Sequence, residues 1–387
     1  MFIVILGTVL GLIHLYVWKR LVKDTVRGRT RWVLTGVLLA LTVLLFGTLF
    51  LPRLFGFREP AWLAWPGYLW FGLVVYLFLT LLVLEPVLLA LRRWVKQKPQ
   101  DEQPVAPPAM NRRLFLARAS AAAAGAASVS LVGVGVSNAM GPPNLLREPV
   151  RLRRLDPVFD GFRIAVVSDI HLGPLAGRSH TERIVAMINE TEPDLVAIVG
   201  DLVDGTVAEL GPAAEPLHDL VSREGSYFVT GNHEYFVEDT AEWLRELEQL
   251  GVQPLRNEST AIRRGAAAFD LAGVNDVSGG QHSDSPDYDR ALAGTSPSRP
   301  TVLLAHQPVQ VSEASARGVD LQLSGHTHGG QMWPFHYVVR LVQPSLAGLS
   351  TVGDTQLYVT RGAGFWGPPV RIGAPPDITV VSLQGGA

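Results

Sequence analysis

Five short polar motifs hold most of the groups in this chain that could do chemistry. They are Ser168-Asp169-Ile170-His171, Gly200-Asp201-Leu202-Val203-Asp204, Gly231-Asn232-His233-Glu234, Ala305-His306-Gln307-Pro308 and Gly325-His326-Thr327-His328. Five of the ten histidines belong to this set. Carboxylate, carboxamide and imidazole together suit a borderline divalent ion such as Mn²⁺, Fe²⁺ or Zn²⁺ better than Ca²⁺. In Asp-x-His and His-x-His an extended backbone would turn residues i and i+2 to one side, so that both face one ion. Glycines beside them let the backbone turn sharply and approach closely. Any one of these motifs alone is ordinarily a turn or a satisfied polar contact. Five in series, each behind an apolar run, are not accidental.

The apolar runs read as strands rich in Val, Ile and Leu: 162–168, 195–200, 226–230, 301–305, 321–324, 357–360 and 378–383. Residues 181–191 and 240–250 read as helices, the second with Trp243, Leu244, Leu247 and Leu250 on one face. The expectation is one α/β (or α+β) domain over 150–387, large enough to bury a core.

The motif series resembles the calcineurin-like metallophosphoesterase superfamily, whose signature runs D-x-H, G-D, G-N-H-[DE], a lone His and G-H-x-H. SGHTHGGQ at 324–331 and the Gly-rich 361–367 look like a membrane-associated or exported bacterial subgroup. The resemblance implies a β-sandwich flanked by helices, with two metal ions at the strand ends. It implies Asp169, His171, Asp201 and His328 around one ion, and Asp201, Asn232, His306 and His326 around the other, with Asp201 bridging. The implied reaction is hydrolysis of phosphate mono- or diesters by a metal-activated hydroxide. His233 follows a ligand and is not one itself, which places it to protonate the departing alkoxide. The resemblance also gives Asp169 the task of orienting His233.

Other residues leave alternatives open. Asp204 reads as a turn or a group behind the ligands rather than a ligand. Arg361 and Arg371 could bind the substrate phosphate or be solvated strand-end arginines. The hydrophilic stretch 275–300 reads as a solvated insertion, with a substrate lid as the alternative. His180, His218 and His336 match no motif and read as structural or exposed. Trp333 and Phe335 read as packing residues, with substrate contact as the alternative.

The positioning elements include a second, dissimilar half. Residues 1–148 carry 16 Lys and Arg against 6 Asp and Glu, whereas 149–387 carry 17 against 29, so the formal net charge of −2 hides two opposite portions. The near-zero total speaks against nucleic acid as a partner. The absence of cysteine excludes a disulfide scaffold, a thiolate zinc site and a cysteine nucleophile. Three uncharged runs, placed at about 2–18, 32–51 and 65–91, approach the roughly 20 residues needed to span a bilayer, giving a membrane region over 1–95. His14, Glu85 and Pro86 read as lying at helix ends near the headgroups. Basic first and third connections put those loops in the cytoplasm and the N-terminus outside.

A Pro-rich cytoplasmic linker is expected over 96–110. At 111–140, Asn-Arg-Arg-Leu-Phe-Leu and a charge-free Ala/Gly/Ser/Val stretch resemble a twin-arginine export signal, here internal, or a fourth transmembrane helix. Ser137-Asn138-Ala139 looks like a small-residue cleavage site, with retention favoured. Both readings place the catalytic domain outside the cytoplasm on a multi-pass plasma-membrane protein. The expected partners are a phosphate ester, lipid-linked in one version, membrane lipid, and the twin-arginine export machinery. The competing reading is a catalytically silent metal- or ligand-binding receptor or transporter accessory domain.

Overall fold

A computed structural model describes residues 2–55, 60–96, 112–237 and 239–386, and the chain divides into two compact units, Met1–Val136 and Ser137–Ala387. The expected linker over 96–110 falls almost wholly outside the described residues.

The first unit holds helices α1 (Phe2–Trp18), α2 (Gly28–Phe55), α3 (Ala61–Lys96) and most of α4 (Arg112–Met140), with a π-helical turn at Lys19–Lys23 after α1. All four are long and apolar enough to cross a membrane. Leu10, Val17, Leu45, Val74 and Leu81 pack inward, while Leu12, Leu15, Trp32, Leu39 and Val43 face outward, as they do when the solvent is hydrocarbon. Polar groups in the bundle find partners, as they must without water. Trp70 Nε1 donates to His14 Nε2 at 3.0 Å, and the Thr80 and Ser128 hydroxyls lie 3.0 Å apart. As expected, α3 takes in Glu85 and Pro86 near one end, and it runs on past the expected 91 to Lys96. Glu85 is accommodated because Tyr16 Oη donates to it at 2.6 Å and Arg20 pairs with it.

The second unit begins with β1 (Asn144–Leu152), ahead of the expected start at 150, and ends with β12 (Asp377–Gly385), which pairs with it in parallel. Between them lie β2 (Phe162–Val167), β3 (Leu195–Val199), β4 (Ser226–Val229), β5 (Val252–Pro254), β6 (Glu258–Arg264), β7 (Ala267–Gly273), β8 (Thr301–Leu304), β9 (Leu321–Ser324), β10 (Gly348–Val352) and β11 (Thr355–Val359). They form two six-stranded sheets, ordered β1-β12-β2-β3-β4-β5 and β10-β11-β9-β8-β7-β6. Helices α5 (Arg178–Glu190), α6 (Val207–Ala214), α7 (His233–Phe236), α8 (Thr240–Gln249), α9 (Tyr288–Leu292), α10 (Val311–Ala316) and α11 (His336–Val339) complete it.

The unbroken apolar strands follow from burial on both faces. Ile164, Val166, Leu195, Ala197 and Val199 meet Phe269, Leu271, Val302 and Leu304 in the core between the sheets. Their neighbours Ala165, Val167, Val196 and Ile198 pack outward under Ile184, Ile188, Leu210, Trp243 and Leu247 of α5, α6 and α8. On the other sheet, Leu303 and Ala305 pack against Tyr288, Ala291 and Ala314 from α9 and α10. The result is the expected helix-flanked β-sandwich. Stretch 275–300 is not a solvated insertion: α9 supplies Tyr288 and Ala291 to that outer core, and Asp284 accepts from Tyr235 Oη at 2.8 Å.

Strands β2, β3 and β4 run parallel, as do β8 and β9, so their carboxyl ends gather the five motifs. In open α/β sheets that edge is where ligands bind.

Candidate metal centre

The ligand-bearing loops are built differently from the expectation. Asp169 and His171 have φ of 52° and 50°, Asp201 52°, and His326 and His328 69° and 50°. All five lie in the left-handed region, which non-glycine residues seldom adopt and which concentrates at functional sites. The pairs converge because each loop coils tightly off its strand, not because an extended strand alternates its side chains. Close approach needs missing side chains beside them: a Cβ on Gly231 would lie 2.2 Å from Asp201 Oδ1, and one on Gly325 2.4 Å from Asp169 Oδ2. Gly231→Ala is expected to displace the Asp201 carboxylate and cut bound metal and turnover by at least tenfold. Wild-type metal content in that variant would show that the loop yields without cost.

Three groups of potential ligand atoms result, each within 4.8 Å: Asp169, His171 and His328; Asp201, His306 and His326; and His171, Asp201 and His233. Asp201 stands between the first two, with its Oδ2 3.8 Å from His171 Nε2 and 3.2 Å from His306 Nε2. The His171 and His328 Nε2 atoms face each other at 3.1 Å, and His328 Nε2 is 3.3 Å from Asp169 Oδ1. Among the candidate ligands, two buried atoms lack hydrogen bonds, His306 Nε2 and Asn232 Oδ1. A cation would satisfy both, since each offers a lone pair. In two of the rings the other imidazole nitrogen is engaged as ligation requires. His306 Nδ1 donates to Val199 O at 2.7 Å, and His171 Nδ1 to Asp204 Oδ1 at 2.9 Å. The donor set fits divalent cations.

Electrostatics agree at Asp201, His326 and His328, whereas burial raises the Asp169 carboxyl and, against burial, Asp201 and Asp169 raise His306 well above its ordinary value, so a cation would displace protons there. Burial would raise the Asp201 carboxyl, but His306, His233 and His171 hold it well below its usual value. Burial and His306 lower His326 to about 4, and burial with Arg371 beside it holds His328 well below its ordinary value. Both stay neutral, the form that binds a cation.

Expected roles are redistributed in three places. His233 Nδ1 donates to Asp204 Oδ1 at 2.6 Å, so the carboxylate that orients it is Asp204, not Asp169. Asp169 instead accepts from His326 N at 3.0 Å, tying the first motif to the last. Arg371 is fully buried and donates to the carbonyls of His328 and Gly364, so it braces the His-x-His turn and cannot reach a substrate. Arg361 is partly exposed and pairs with Asp377 at 3.1 Å. Trp333 and Phe335 are half-exposed rather than packed.

Glu234 has a function that sequence reasoning missed. Its buried carboxylate accepts from the backbone N–H groups of Asp201, Leu202 and Gly231 at 3.0, 2.7 and 2.6 Å, fastening two ligand loops together. Only its place after His233 could have signalled it. Burial and Asp201 push its carboxyl up to about 7, against the pull of those donors. Glu234→Ala strands buried donors and is expected to cost on the order of 3 kcal/mol of stability. Thermal melts of the detergent-solubilised protein would test this, and an unchanged Tm would overturn it.

Residues 162–330 match the family described as calcineurin-like phosphoesterase. A Danio rerio protein named transmembrane protein with metallophosphoesterase domain is 34% identical over 397 residues, covering 99% of this chain and 89% of its own. The chain belongs to the calcineurin-like phosphoesterases. A Bos taurus protein of the same name is 43% identical over 263 residues, 65% of this chain and 59% of the relative. A Helicobacter pylori metallophosphoesterase is 37% identical over 254 residues, 64% of this chain and 66% of the relative. The Danio rerio alignment extends through the helical unit, so the similarity takes in the apolar helices as well as the phosphoesterase domain. As a calcineurin-like phosphoesterase, the chain is a membrane-associated hydrolase of phosphoric esters, a family that uses divalent metals.

Proposed function

We propose that this protein is a dinuclear metal-dependent phosphoesterase acting on mono- or diesters outside the cytoplasm. One observation supports this most: the Asp201 carboxylate stands between two ligand groups, each of which ends in a buried lone pair or an opposed pair of imidazoles. Asp169, His171, Asp201 and His328 would hold one ion of the Mn, Fe or Zn type, and Asp201, Asn232, His306 and His326 the second. Such ions supply a nucleophile from water at neutral pH and neutralise charge on the phosphate.

The chain's own groups do the rest. The negative charge of Asp201 answers two cations that would otherwise repel. Asp204 fixes the His233 ring by Nδ1, leaving Nε2 to carry the proton for the leaving oxygen. Burial opposes a charge on His233, yet Asp201 and Asp204 raise it to about 9, so it keeps its proton at neutral pH. His233 touches His171 edge-to-face, 4.5 Å between centroids, which sets it beside the ligands without making it one.

The basic connections of the helical unit support an extracytoplasmic site at the plasma membrane. The twin-arginine reading rests on Arg112 and Arg113, which open α4. Retention rather than cleavage is supported because Ser137-Asn138-Ala139 is helical, Ala139 is fully buried beside Ala176 and Phe365, and a peptidase needs an extended exposed strand.

The test uses the full chain in nanodiscs, stripped with chelator and reloaded with Mn²⁺, Fe²⁺ or Zn²⁺. The expected result is two ions per chain and restored hydrolysis of p-nitrophenyl phosphate or its bis ester. Activity that survives complete stripping would overturn metal dependence. A loaded protein inert toward mono-, di- and pyrophosphate esters would favour the binding-module reading.

A further inference from the structure

Residues 331–346 leave the His-x-His turn and form the most apolar exposed surface of the phosphoesterase unit. Leu341 is 83% exposed, Val342 69% and Tyr337 59%, with Trp333, Phe335 and Val338 each about half-exposed. Soluble surfaces rarely display so many large apolar side chains in one short segment. It is not a loose flap. Gln331 Nε2 donates to Trp366 O at 2.8 Å, Gln343 Oε1 accepts from Val309 N at 3.0 Å, and Thr327 Oγ1 donates to Leu346 O at 2.6 Å. Both ends are therefore pinned close to His326 and His328, and α11 is held in a fixed place.

The charge pattern says what covers it. The second half of the chain is strongly acidic, yet 321–353 contains no Asp or Glu, and its one Lys or Arg is Arg340. Arg340 is exposed, and among the described residues no carboxylate pairs with it. Trp, Tyr and Phe with Leu and Val around a lone cation make up the composition of an interfacial segment, in which amphipathic rings sit at headgroup level and the cation meets lipid phosphate. A soluble protein partner chosen by charge would need to be acidic, matching a single cation. A bilayer, by contrast, is what the same chain's four apolar helices are long and apolar enough to cross. Two further exposed aromatics border the catalytic edge: Phe236, 66% exposed, lies 5.0 Å from the His233 ring, and the partly exposed Trp366, whose backbone Gln331 holds, lies 6.4 Å from it.

We infer that the segment 331–346 is a lipid-docking element that seats the phosphoesterase unit on an anionic bilayer surface, so that esters carried by lipid reach the metal centre along an apolar rim. The docking stands apart from the proposed hydrolysis, whereas the substrate class rests on it.

The chain has no cysteine, so Leu341→Cys gives a single labelling site. A spin label there, with Asp289→Cys as control, is read in nanodiscs with and without phosphatidylglycerol. Docking predicts at least a threefold higher ratio of oxygen to nickel-chelate accessibility at Leu341 than at Asp289, larger with the anionic lipid. Equal water access at both positions overturns docking. Spin–spin broadening between copies overturns it in favour of a second chain on this face. A Leu341→Glu, Val342→Glu double variant should hydrolyse bis-p-nitrophenyl phosphate normally and lose about tenfold on a lipid-embedded phosphate ester. Equal rates on the lipid ester, or equal losses on both, overturn the substrate assignment. If the wild-type protein hydrolyses neither ester, the catalytic reading fails while the depth measurement still decides docking.

Discussion

His233→Asn is expected to lower kcat on an alkyl phosphate by about 100- to 10,000-fold, the usual worth of a positioned general acid, with metal content unchanged. His233 contributes no ligand in the proposed assignment, and its Nδ1 is committed to Asp204. An alkoxide is too basic to leave without a proton, so losing the donor falls directly on that step. p-Nitrophenolate departs without one, so the same variant should lose far less on p-nitrophenyl phosphate. The contrast between esters is the decisive readout, because general damage to the site would slow both alike. Unchanged kcat on the alkyl ester would remove His233 from the reaction.

Asp204→Asn is expected to weaken metal binding by about 10- to 100-fold, as loss of a carboxylate behind a ligating histidine typically does, and to slow turnover further at saturating metal. One oxygen, Oδ1, serves both His171 at 2.9 Å and His233 at 2.6 Å. The two rings are therefore oriented by the same charge. Histidine side chains hold Asp204 far below the ordinary carboxyl range despite its burial, so it is an anion at any working pH. Asparagine keeps the shape and one acceptor but removes that charge. Metal titration should report the His171 effect, and kcat at saturating metal the His233 effect. Combined with His233→Asn, the kcat losses should be far less than additive, since one residue acts through the other. Full additivity at saturating metal would mean that Asp204 works independently of His233.

Much of this was legible before any fold was known. The seven candidate ligands, the strand behind each motif and the apolar helices are local properties: residue type, spacing and hydropathy along a few consecutive positions. The same holds for β2, β3 and β4, whose burial on both faces leaves unbroken Val, Ile and Leu. Strands β1 and β6 were missed because Arg147, Glu148 and Arg151, or Glu258, Arg263 and Arg264, interrupt them. Their partners across the sheet, rather than their own pattern, make them strands. The partners of Glu85 were hidden for a similar reason: its acceptability within α3 depends on Tyr16 and Arg20, some 65 or more positions away in the chain.

The sequence by itself therefore determined which atoms are candidate metal ligands and in what order the chain presents them. Only the tertiary structure decided how they meet. It put five of the seven candidate ligand residues in left-handed conformations, gave the orienting contact on His233 to Asp204, tied Glu234 across two loops, and buried Arg371 behind His328. Each of these depends on groups brought together from distant strands, and spacing along a chain carries no information about which carboxylate will lie nearest a given ring once the strand ends converge.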